Sequence, residues 1–540
     1  MARRAGVGAA GPILLTLCSG QFLMMLDSSV MNVSIATVAR DIGTTVTGIQ
    51  TAITLYTLVM ASFMITGGKI GQIIGRKRSF MIGCVIYGCG SLTTSLAPNL
   101  AVLLIGWSGL EGLGAALILP AIVALVATSF DRQARPRAYG LVAAAAAIAV
   151  AVGPIVGGLF TTYLSWRYVF AGEVLIVIAI LALARGIEVG APERGVRLDL
   201  AGTGLSALGL GLIVFGILRS GTWGLVKARP DAPQWIGLSP VIWLILGGAA
   251  MLSLFLAWES RLASRGREPL LDPAIMRIPV LRAGLTSFFF QYFLQGGLFF
   301  ALPLFLSLAL GLSAIETGVR LLPLSFTLIL AAAGIPKLFP HVSPRRVVRL
   351  GFLAMFAGLV VLVAALQAGA GAEIVTWPML LAGLGIGALA SQLGSITVSS
   401  VPDEQSGEVG GLQNTITNLG ISLGTALTGA IVIATLSSSF LAGVEGNRAL
   451  PASIKARAST ELSGGVPFLS DKELEAALAQ ARVAPRANEE IVEVNETARL
   501  DGLRTALSLL AVLALVGLIF SGGIPTRGPG AEIDGRRAAA

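Results

Sequence analysis

Long apolar runs alternate with short polar segments along almost the whole chain. A helix needs about 20 apolar residues to cross the hydrocarbon core of a bilayer, and fourteen runs reach that length. They lie near residues 12–35, 48–68, 79–97, 101–128, 138–160, 168–186, 199–219, 239–259, 281–308, 316–337, 347–368, 376–399, 411–437 and 503–522. The pattern predicts an all-α integral membrane protein with fourteen transmembrane helices.

Basic residues concentrate in every second connection between these runs. Arginine and lysine in short loops mark the cytoplasmic side of a membrane protein. The basic connections carry Arg76, Lys77, Arg78, Arg132, Arg135, Arg137, Arg185, Arg194, Arg197, Arg261, Arg265, Arg267, Arg277, Lys337, Arg345, Arg346 and Arg349. The alternation predicts that both termini are cytoplasmic, which requires an even number of spans.

A long polar segment, about 438–502, separates the last two apolar runs. By the same alternation it lies outside the cell. Within it, residues 470–478 predict a short capped helix that begins at Ser470 or Asp471. The segment is either a tolerated insertion, which we favour, or a lid or partner site.

A weak internal repeat divides the chain into two halves. Five glycines recur 271 positions later: Gly112, Gly114, Gly140, Gly153 and Gly158 become Gly383, Gly385, Gly411, Gly424 and Gly429. Parallel repeats of this kind build the two halves of many transporters. We therefore predict a six-helix bundle in residues 1–190, an inserted helix pair in 191–270 and a second six-helix bundle in 271–540.

Composition supports the membrane class and excludes several others. Hydrophobic residues make up 55% of the 540 residues and charged residues 12%, against roughly a quarter charged in soluble domains. The net charge of +9 is spread over loops, which argues against nucleic-acid binding. Cys18, Cys84, Cys89 and the single histidine, His341, form no metal-binding pattern. No phosphate-binding glycine loop is present, so we expect no cofactor, and a transporter with this sequence must run on an ion gradient or be passive.

Three acidic residues fall inside the apolar runs: Asp27, Glu111 and Glu173. An acid within the membrane is costly and marks a functional site by default. Burial favours the neutral form of a carboxyl group, so these groups are candidate proton carriers. A cationic substrate that competes with the proton for one acid is the simplest coupling scheme. For Asp27 and Glu111 a purely structural hydrogen bond is the alternative.

Amide side chains are the candidate lining of a substrate cavity. Gln291 and Gln295 lie four residues apart on one helical face, as do Asn414 and Asn418. Such groups are costly against lipid, so we predict that they point inward, as we do for Asn32. Phenylalanines 288–290 either line a pocket for flat apolar molecules or form a lipid-facing belt.

The connection between the second and third runs reads Gly-Lys-Ile-Gly-Gln-Ile-Ile-Gly-Arg-Lys-Arg over residues 68–78. It resembles the loop signature of the major facilitator superfamily, Gly-x-Leu-Ala-Asp-x-x-Gly-Arg-Lys. The match lies in Gly68, Gly75, Arg76 and Lys77. Gln72 stands where the family has its acid, so the resemblance implies an inner latch that is weaker or made with neutral hydrogen bonds.

Further motifs resemble one branch of that family. Gly153, Pro154, Gly157 and Gly158 look like the Gly-Pro-x-x-Gly-Gly signature of exporters, and residues 26–35 are similar to the first span of the fourteen-helix drug:proton antiporters. The branch implies that the first and fourth helices line the cavity. It therefore favours Glu111, then Asp27, as the proton carrier, with a structural hydrogen bond for Glu173. Ser108 stands where the family usually has an arginine.

The resemblance implies a secondary active efflux transporter and not an enzyme. It would export amphipathic small molecules or drugs by alternating access, as a proton antiporter, and act as a monomer in the bacterial plasma membrane. A lipid, glycolipid or natural-product exporter of the same fold is an alternative. A membrane sensor, or an enzyme that uses Asp27 and Glu111 as a carboxylate pair, is an alternative of another class.

Overall fold

The computed structural model describes residues 10–130, 135–187, 198–229, 232–267, 269–339, 341–367, 369–401, 406–452, 454–455, 471–481 and 483–526. The first eight helices are α1 (Ala10–Asp41), α2 (Val46–Ile74), α3 (Arg76–Ser95), α4 (Leu100–Leu103, a π-helical stretch at Leu104–Glu111, then Gly112–Ser129), α5 (Arg135–Tyr163), α6 (Arg167–Ala184), α7 (Leu200–Trp223) and α8 (Pro240–Ser264). The others are α9 (Pro279–Leu304, continued by a π-helical turn at Phe305–Ala309), α10 (Ala314–Leu338), α11 (Pro344–Ala365), α12 (Thr376–Val398), α13 (Ser406–Gly446), α14 (Asp471–Gln480) and α15 (Pro485–Phe520).

Local capping residues determine where several helices begin. Thr45 accepts a hydrogen bond from the backbone N–H of Gly48 at the start of α2. Ser313 and Glu316 form a reciprocal capping box at the start of α10. Ser239 caps α8, whose first residue, Pro240, supplies no N–H that would need a partner. Each cap satisfies backbone groups that the first helical turn leaves unpaired.

Thirteen helices in the described part of the chain are long and apolar enough to cross a membrane. They match all the predicted runs except the third, 79–97, which coincides with α3. Helix α3 falls below that level of apolarity because it begins with Arg76, Lys77 and Arg78 and also carries polar residues such as Ser91 and Thr94. Fourteen spans and two cytoplasmic termini remain predictions.

The predicted outer segment, 438–502, contains more helix than the sequence suggested. The short helix is confirmed as α14, although Ser470 lies outside the described residues. However, α13 continues to Gly446 and α15 already begins at Pro485. With 41 residues, α13 is about 60 Å long, twice the hydrocarbon core. The apolar runs underestimated both helices because a helix that leaves the membrane can be polar.

Buried Arg499 ties α14 to the outer part of α15. Its guanidinium is fully buried and donates to the Asp471 carboxylate at 2.5 Å. It also donates to the backbone carbonyl of Leu308 at 3.3 Å. A buried cation needs such partners, since an uncompensated charge inside a protein is costly. The outer helices are therefore attached to the bundle that contains Leu308.

Helix packing separates two groups. In the first, α1 packs on α5, α2 on α4, and α3 on α4 and α6; we call α1–α6 the N bundle. In the second, α9 packs on α13 and α15, α10 on α12, and α11 on α12 and α15; we call α9–α13 with α15 the C bundle. The bundles meet along α2 with α13 and along α5 with α10. The pair α7–α8 packs beside the first of these contacts, on α2 and α13.

The repeated glycines occupy equivalent places in the two bundles. A Cβ on Gly114 in α4 would lie 2.8 Å from the carbonyl oxygen of Gly83 in α3. Its counterpart Gly385 in α12 has the carbonyl oxygen of Gly351 in α11 at 2.6 Å. Both are crossings at which only glycine lets the two backbones approach so closely. Two glycines 271 residues apart thus make the same kind of close helix crossing, one in each bundle.

Candidate functional site

A central cavity of about 190 Å³ lies between the bundles. We call the end of the molecule that carries the α1–α2 connection the outer end, following the predicted orientation. The cavity is lined from α1, α2, α4 and α5 on one side and from α9 and α13 on the other. Every described residue that lines it is uncharged. Ligand pockets usually measure about 300–1,000 Å³, so the cavity must widen to admit a drug-sized molecule.

Four of the five predicted cavity residues line this space: Asn32, Gln295, Asn414 and Asn418. The Asn418 amide also donates to the backbone carbonyl of Asn414 at 2.9 Å. Gln291 does not belong to the lining, although it is buried. It lies four residues before Gln295 on α9, but the neighbouring helices cover its position.

Phenylalanines 288–290 also lie away from the cavity wall. Phe288 is buried and stacks on Tyr292, and Phe290 stacks on Phe520 with centroids 5.8 Å apart. The aromatic residues of α9 that do line the cavity are Tyr292 and Phe299. These three phenylalanines therefore pack within the C bundle and do not form the predicted pocket.

The three acids inside the membrane come together in the N bundle. Asp27 and Glu111 are 0% exposed and Glu173 is 1% exposed. One carboxyl oxygen from each lies within 4.8 Å of the others. We call these three residues the carboxyl cluster. Helices α1, α4 and α6 contribute one acid each, so only the packed bundle can form the cluster.

Neutral donors hold the carboxyl cluster in place. The indole N–H of Trp107 is 2.9 Å and 3.0 Å from the two oxygens of Asp27. Thr94 donates to Glu111 at 3.0 Å. The second oxygen of Glu111 and the first of Glu173 have no hydrogen-bond partner among the described residues. These two oxygens are sites where a proton can reside.

Glu173 has both features that the sequence suggested as alternatives. Tyr87 and Ser91 of α3 donate to its Oε2 at 3.3 Å and 3.1 Å, which is the predicted hydrogen bond to a neighbouring helix. It also belongs to the carboxyl cluster. The sixth helix lies outside the cavity, yet its acid reaches the other two through the interior of the N bundle.

The carboxyl cluster lies behind the cavity wall. Neither Asp27, Glu111 nor Glu173 lines the cavity. Instead, Tyr56 and Trp107 line it at that level, stacked with ring centroids 5.0 Å apart and planes 11° apart. Direct competition between a substrate and the proton for one acid, the simplest scheme from the sequence, has no contact to support it.

The basic motif forms the end of α2 and the start of α3 and is not an open loop. Gly68 and Gln72 lie in the last turns of α2. Gly75, with φ 97°, is the single residue between the helices, a conformation that glycine adopts without strain. Lys77 donates to the backbone carbonyls of Arg185 and Ile187 at 2.8 Å and 2.6 Å. It thereby binds the carbonyl end of α6, where a cation is favourable.

Gln72 lines a second cavity, of about 130 Å³, with Lys69 and Arg76. Pro269 and Leu270, from the segment that follows α8, lie on its other side. Arg76 also donates to the carbonyl of Ala124 in α4 at 3.4 Å. Gln72, which stands where the family has an acid, thus faces the segment between α8 and the C bundle.

The Gly-Pro motif is the part of α5 that contacts two other helices. Gly157 lies against α1, where an added Cβ would be 2.9 Å from the Cα of Val30. Gly158 faces the C bundle, where a Cβ would be 2.6 Å from the Cα of Ile315 in α10. Gly153 faces Ser29 in the same way, and Pro154 contacts Gly318 of α10. Glycine allows both helices to approach the α5 backbone.

Sequence reasoning missed Gln50, a buried amide near the outer end of α2. Its Nε2 donates to the carbonyls of Thr425 and Ala426 in α13 at 3.2 Å and 3.1 Å. Nearby, Ser422 of α13 donates to the carbonyl of Thr54 at 3.0 Å. These bonds join the two bundles near the outer end. A lone glutamine in an apolar run was the available signal, since it requires a buried partner.

We expect Gln50→Met to shift the protein toward states that are open at the outer end. The substitution keeps the length of the side chain and removes two hydrogen bonds of about 0.5–1.5 kcal/mol each. The conformational equilibrium should move roughly 5- to 150-fold. Labelling of an Asn32→Cys variant by an impermeant maleimide from outside measures the shift, in a background without Cys18, Cys84 and Cys89. Unchanged labelling would contradict this role of Gln50.

Two packed helical bundles around an uncharged central cavity, with membrane-spanning helices throughout, define a membrane transporter. Residues 17–425 match the Major Facilitator Superfamily. The chain belongs to that family, whose members are transporters and not enzymes.

The relatives of this chain include bacterial export and resistance proteins. The chain is 29% identical over 432 residues to the cephamycin export protein of Amycolatopsis lactamdurans, covering 79% of this chain and 85% of that protein. It is 30% identical over 427 residues to the puromycin resistance protein of Streptomyces alboniger, covering 77% and 81%. The fold resembles a bacterial homolog of the human lysosomal transporter Spinster, inward-facing and unoccupied, with TM-score 0.60, 14% identity and coverage of 96% and 98%.

Proposed function

We propose that this protein is a proton-driven exporter of amphipathic small molecules in the plasma membrane of a bacterium. The observation that carries the proposal is the carboxyl cluster, in which three buried acids from three helices have oxygens within 4.8 Å of one another. Family membership and the exporters among its relatives support the direction of transport. We take the monomer as the working unit.

Electrostatics make the cluster suitable for proton exchange. Like charges at this separation repel strongly in a buried site, so the three acids cannot all be ionised together. The described residues that donate to the cluster, Trp107, Thr94, Tyr87 and Ser91, are all neutral. The cluster therefore retains at least one proton and can gain or lose another as its access changes. The protons of such a group belong to the cluster and not to one residue.

We propose that alternating access exposes the carboxyl cluster to one side of the membrane and then to the other. The outer end is closed where Gly158 meets α10 and Gln50 meets α13. Gly429 of α13, the partner of Gly158 in the repeat, lies directly on the Gln50 side chain. The contact between α5 and α10 and the contact between α2 and α13 thus use equivalent glycines. We propose that the bundles rock about these two contacts and so expose the cavity to each side of the membrane in turn.

The cavity favours uncharged substrates. Its described lining offers aromatic faces from Tyr56, Trp107 and Phe299 and amides such as Asn414 and Gln295, but no acid or base. A charged ligand would lose its hydration there without gaining an ionic partner. We therefore propose planar, amphipathic and uncharged molecules with hydrogen-bonding edges. A proton exchanged for such a molecule moves net charge across the membrane.

Flux in proteoliposomes tests the proposal with two dyes, neutral Nile red and cationic ethidium. We expect a pH gradient to drive Nile red transport, and a membrane potential set with potassium and valinomycin to drive it without a gradient. Each 100 mV contributes about 2.3 kcal/mol per charge moved. One-for-one exchange of a proton for ethidium would be insensitive to that potential.

Two outcomes decide between the interpretations. Nile red flux that responds to neither force would contradict antiport and favour lipid carriage or sensing. A gradient that drives ethidium as well as Nile red would contradict the preference for uncharged substrates while leaving antiport intact. Protein-free liposomes give the leak rate of each dye.

A further inference from the structure

Trp107 is the residue that contacts both the cavity and the carboxyl cluster. Its ring lines the cavity and is stacked on Tyr56. Its indole N–H reaches both oxygens of Asp27, at 2.9 Å and 3.0 Å. The side chain is 1% exposed, so a movement of the ring would disturb its neighbours. One rigid group therefore joins the substrate side to the proton side.

The hydrogen bond to Asp27 distinguishes between protonation states. A single N–H shared by both carboxyl oxygens suits an ionised carboxylate, which accepts at both atoms. A protonated Asp27 would have one oxygen acting as a donor and would accept less well. Other titratable groups also face Asp27: Glu111 from α4, Glu173 from α6, and the hydroxyls of Tyr56 from α2 and Tyr87 from α3. Whatever holds the indole N–H on Asp27 favours its ionised form.

The backbone around Trp107 is irregular in a way that links it to Glu111. Both residues lie in the π-helical stretch Leu104–Glu111, four positions apart. Such stretches are rare and frequently occur at functional sites. Ser108, next to Trp107, donates to the carbonyl of Ala52 in α2 at 2.8 Å and holds this stretch against α2. A shift of the stretch would move the indole and the Glu111 carboxyl together.

We propose that Trp107 is the positioning residue that couples substrate occupancy to proton release. This inference rests on the proposed antiport. A planar substrate that packs on the Tyr56–Trp107 stack holds the indole N–H on Asp27. The ionised form of Asp27 is then favoured, and the cluster gives up one proton to water on the inner side. Without substrate the Tyr56–Trp107 stack loses that contact, a small shift of the indole weakens its bond to Asp27, and the cluster takes up a proton. No substrate atom needs to touch a carboxylate.

Substrate-linked proton release measures this coupling directly. Nile red is added to purified protein in weakly buffered detergent solution, a pH indicator counts released protons, and dye fluorescence counts bound molecules. We expect the wild type to release protons on binding. Trp107→Phe keeps a flat ring but lacks the N–H, so it should bind the dye and release less than half as many protons per bound molecule. Its affinity for Nile red should also vary less with pH.

Trp258→Phe is a matched control. The indole of Trp258 donates to Asp199 at 2.8 Å on the α7–α8 pair, away from the cavity. Removing that bond should leave proton release unchanged. If Trp107→Phe fails to fold, Trp107→Gln provides a second test, because it has an amide N–H at a similar reach along the side chain but no ring on which a substrate could pack. This variant should release fewer protons per bound molecule than the wild type.

The outcomes separate the two proposals. Equal release by the wild type and Trp107→Phe at equal occupancy would overturn the role of Trp107 and leave antiport standing. Release at the wild-type ratio by a folded Trp107→Gln that still binds the dye would overturn it as well. No release from a wild type that binds the dye would overturn proton antiport itself, and the coupling role with it.

Discussion

We expect Glu111→Gln to reduce pH-driven export to the leak rate of empty liposomes. Thr94 donates to Oε1 of Glu111 at 3.0 Å, and Oε2 has no partner among the described residues. The carbonyl oxygen of a glutamine can keep the bond to Thr94 while its NH₂ takes the place of Oε2. The variant therefore imitates a permanently protonated acid at little structural cost. The measurement is Nile red flux under an imposed pH gradient.

The other acids of the cluster should respond differently. Asp27→Asn removes the carboxylate that Trp107 binds and sets an amide N–H against the indole N–H, so it should lose flux and some stability. Glu173→Gln can keep its bonds from Tyr87 and Ser91. If its role is structural, flux survives; if it carries protons with the others, flux falls.

Glu259→Gln is the matched control for these variants. Glu259 is also fully buried, but it lies in α8 and accepts from the backbone N–H of Leu270 at 2.7 Å. Its neutralisation should leave gradient-driven flux within about twofold of the wild type, since surface or structural changes far from a site have small effects. Full gradient-driven flux in Glu111→Gln would show that Glu111 is not needed for proton coupling.

We expect Gly158→Ala to open the contact between α5 and α10 at the outer end and to reduce export sharply. The new Cβ would lie 2.6 Å from the Cα of Ile315 and 2.8 Å from the carbonyl oxygen of Ala314. These are backbone atoms, so the helices must separate. Overpacking of this kind costs about 1–3 kcal/mol, roughly a 5- to 150-fold shift away from the closed outer end. Nile red flux and outside labelling of Asn32→Cys measure the loss and its cause.

Gly140→Ala is the control on the same helix. A Cβ on Gly140 would meet nothing within 4 Å, so flux should be unchanged and stability slightly higher. If Gly158→Ala transports normally with unchanged labelling, the close approach of α5 and α10 is not required for closure. Normal labelling with reduced flux would instead indicate general destabilisation, which a thermal-melting experiment detects.

Much of the fold follows from local patterns in the sequence. Apolar runs located the helices, although the capping box of Ser313 and Glu316 at the start of α10 was recognised only in the structure. The Gly-Pro motif, noted for its resemblance to an exporter signature, contains Gly158, and the missing side chain of a glycine is what permits the close approach there. The outer parts of α13 and α15 were missed because hydropathy detects the apolar residues that lie in the bilayer and does not detect polar helical residues beyond it.

The candidate site was predictable only in part. Asn32 and Asn414 were correctly expected at the cavity, since amides in an apolar run need polar surroundings. Gln291 obeyed the same rule but was covered by neighbouring helices. Trp107 and Tyr56 gave no signal, because aromatic residues are equally at home in the core, in the lining and in the lipid belt.

The sequence alone determined the membrane class, the helices, the family and the three acids that merit attention. Those properties depend on residues close together in the chain or on composition. Only the tertiary structure decided that Asp27, Glu111 and Glu173 meet, and that Trp107 separates them from the cavity. The rotation of each helix about its axis sets which side chains face one another. That rotation is fixed by packing against helices that are remote in the sequence.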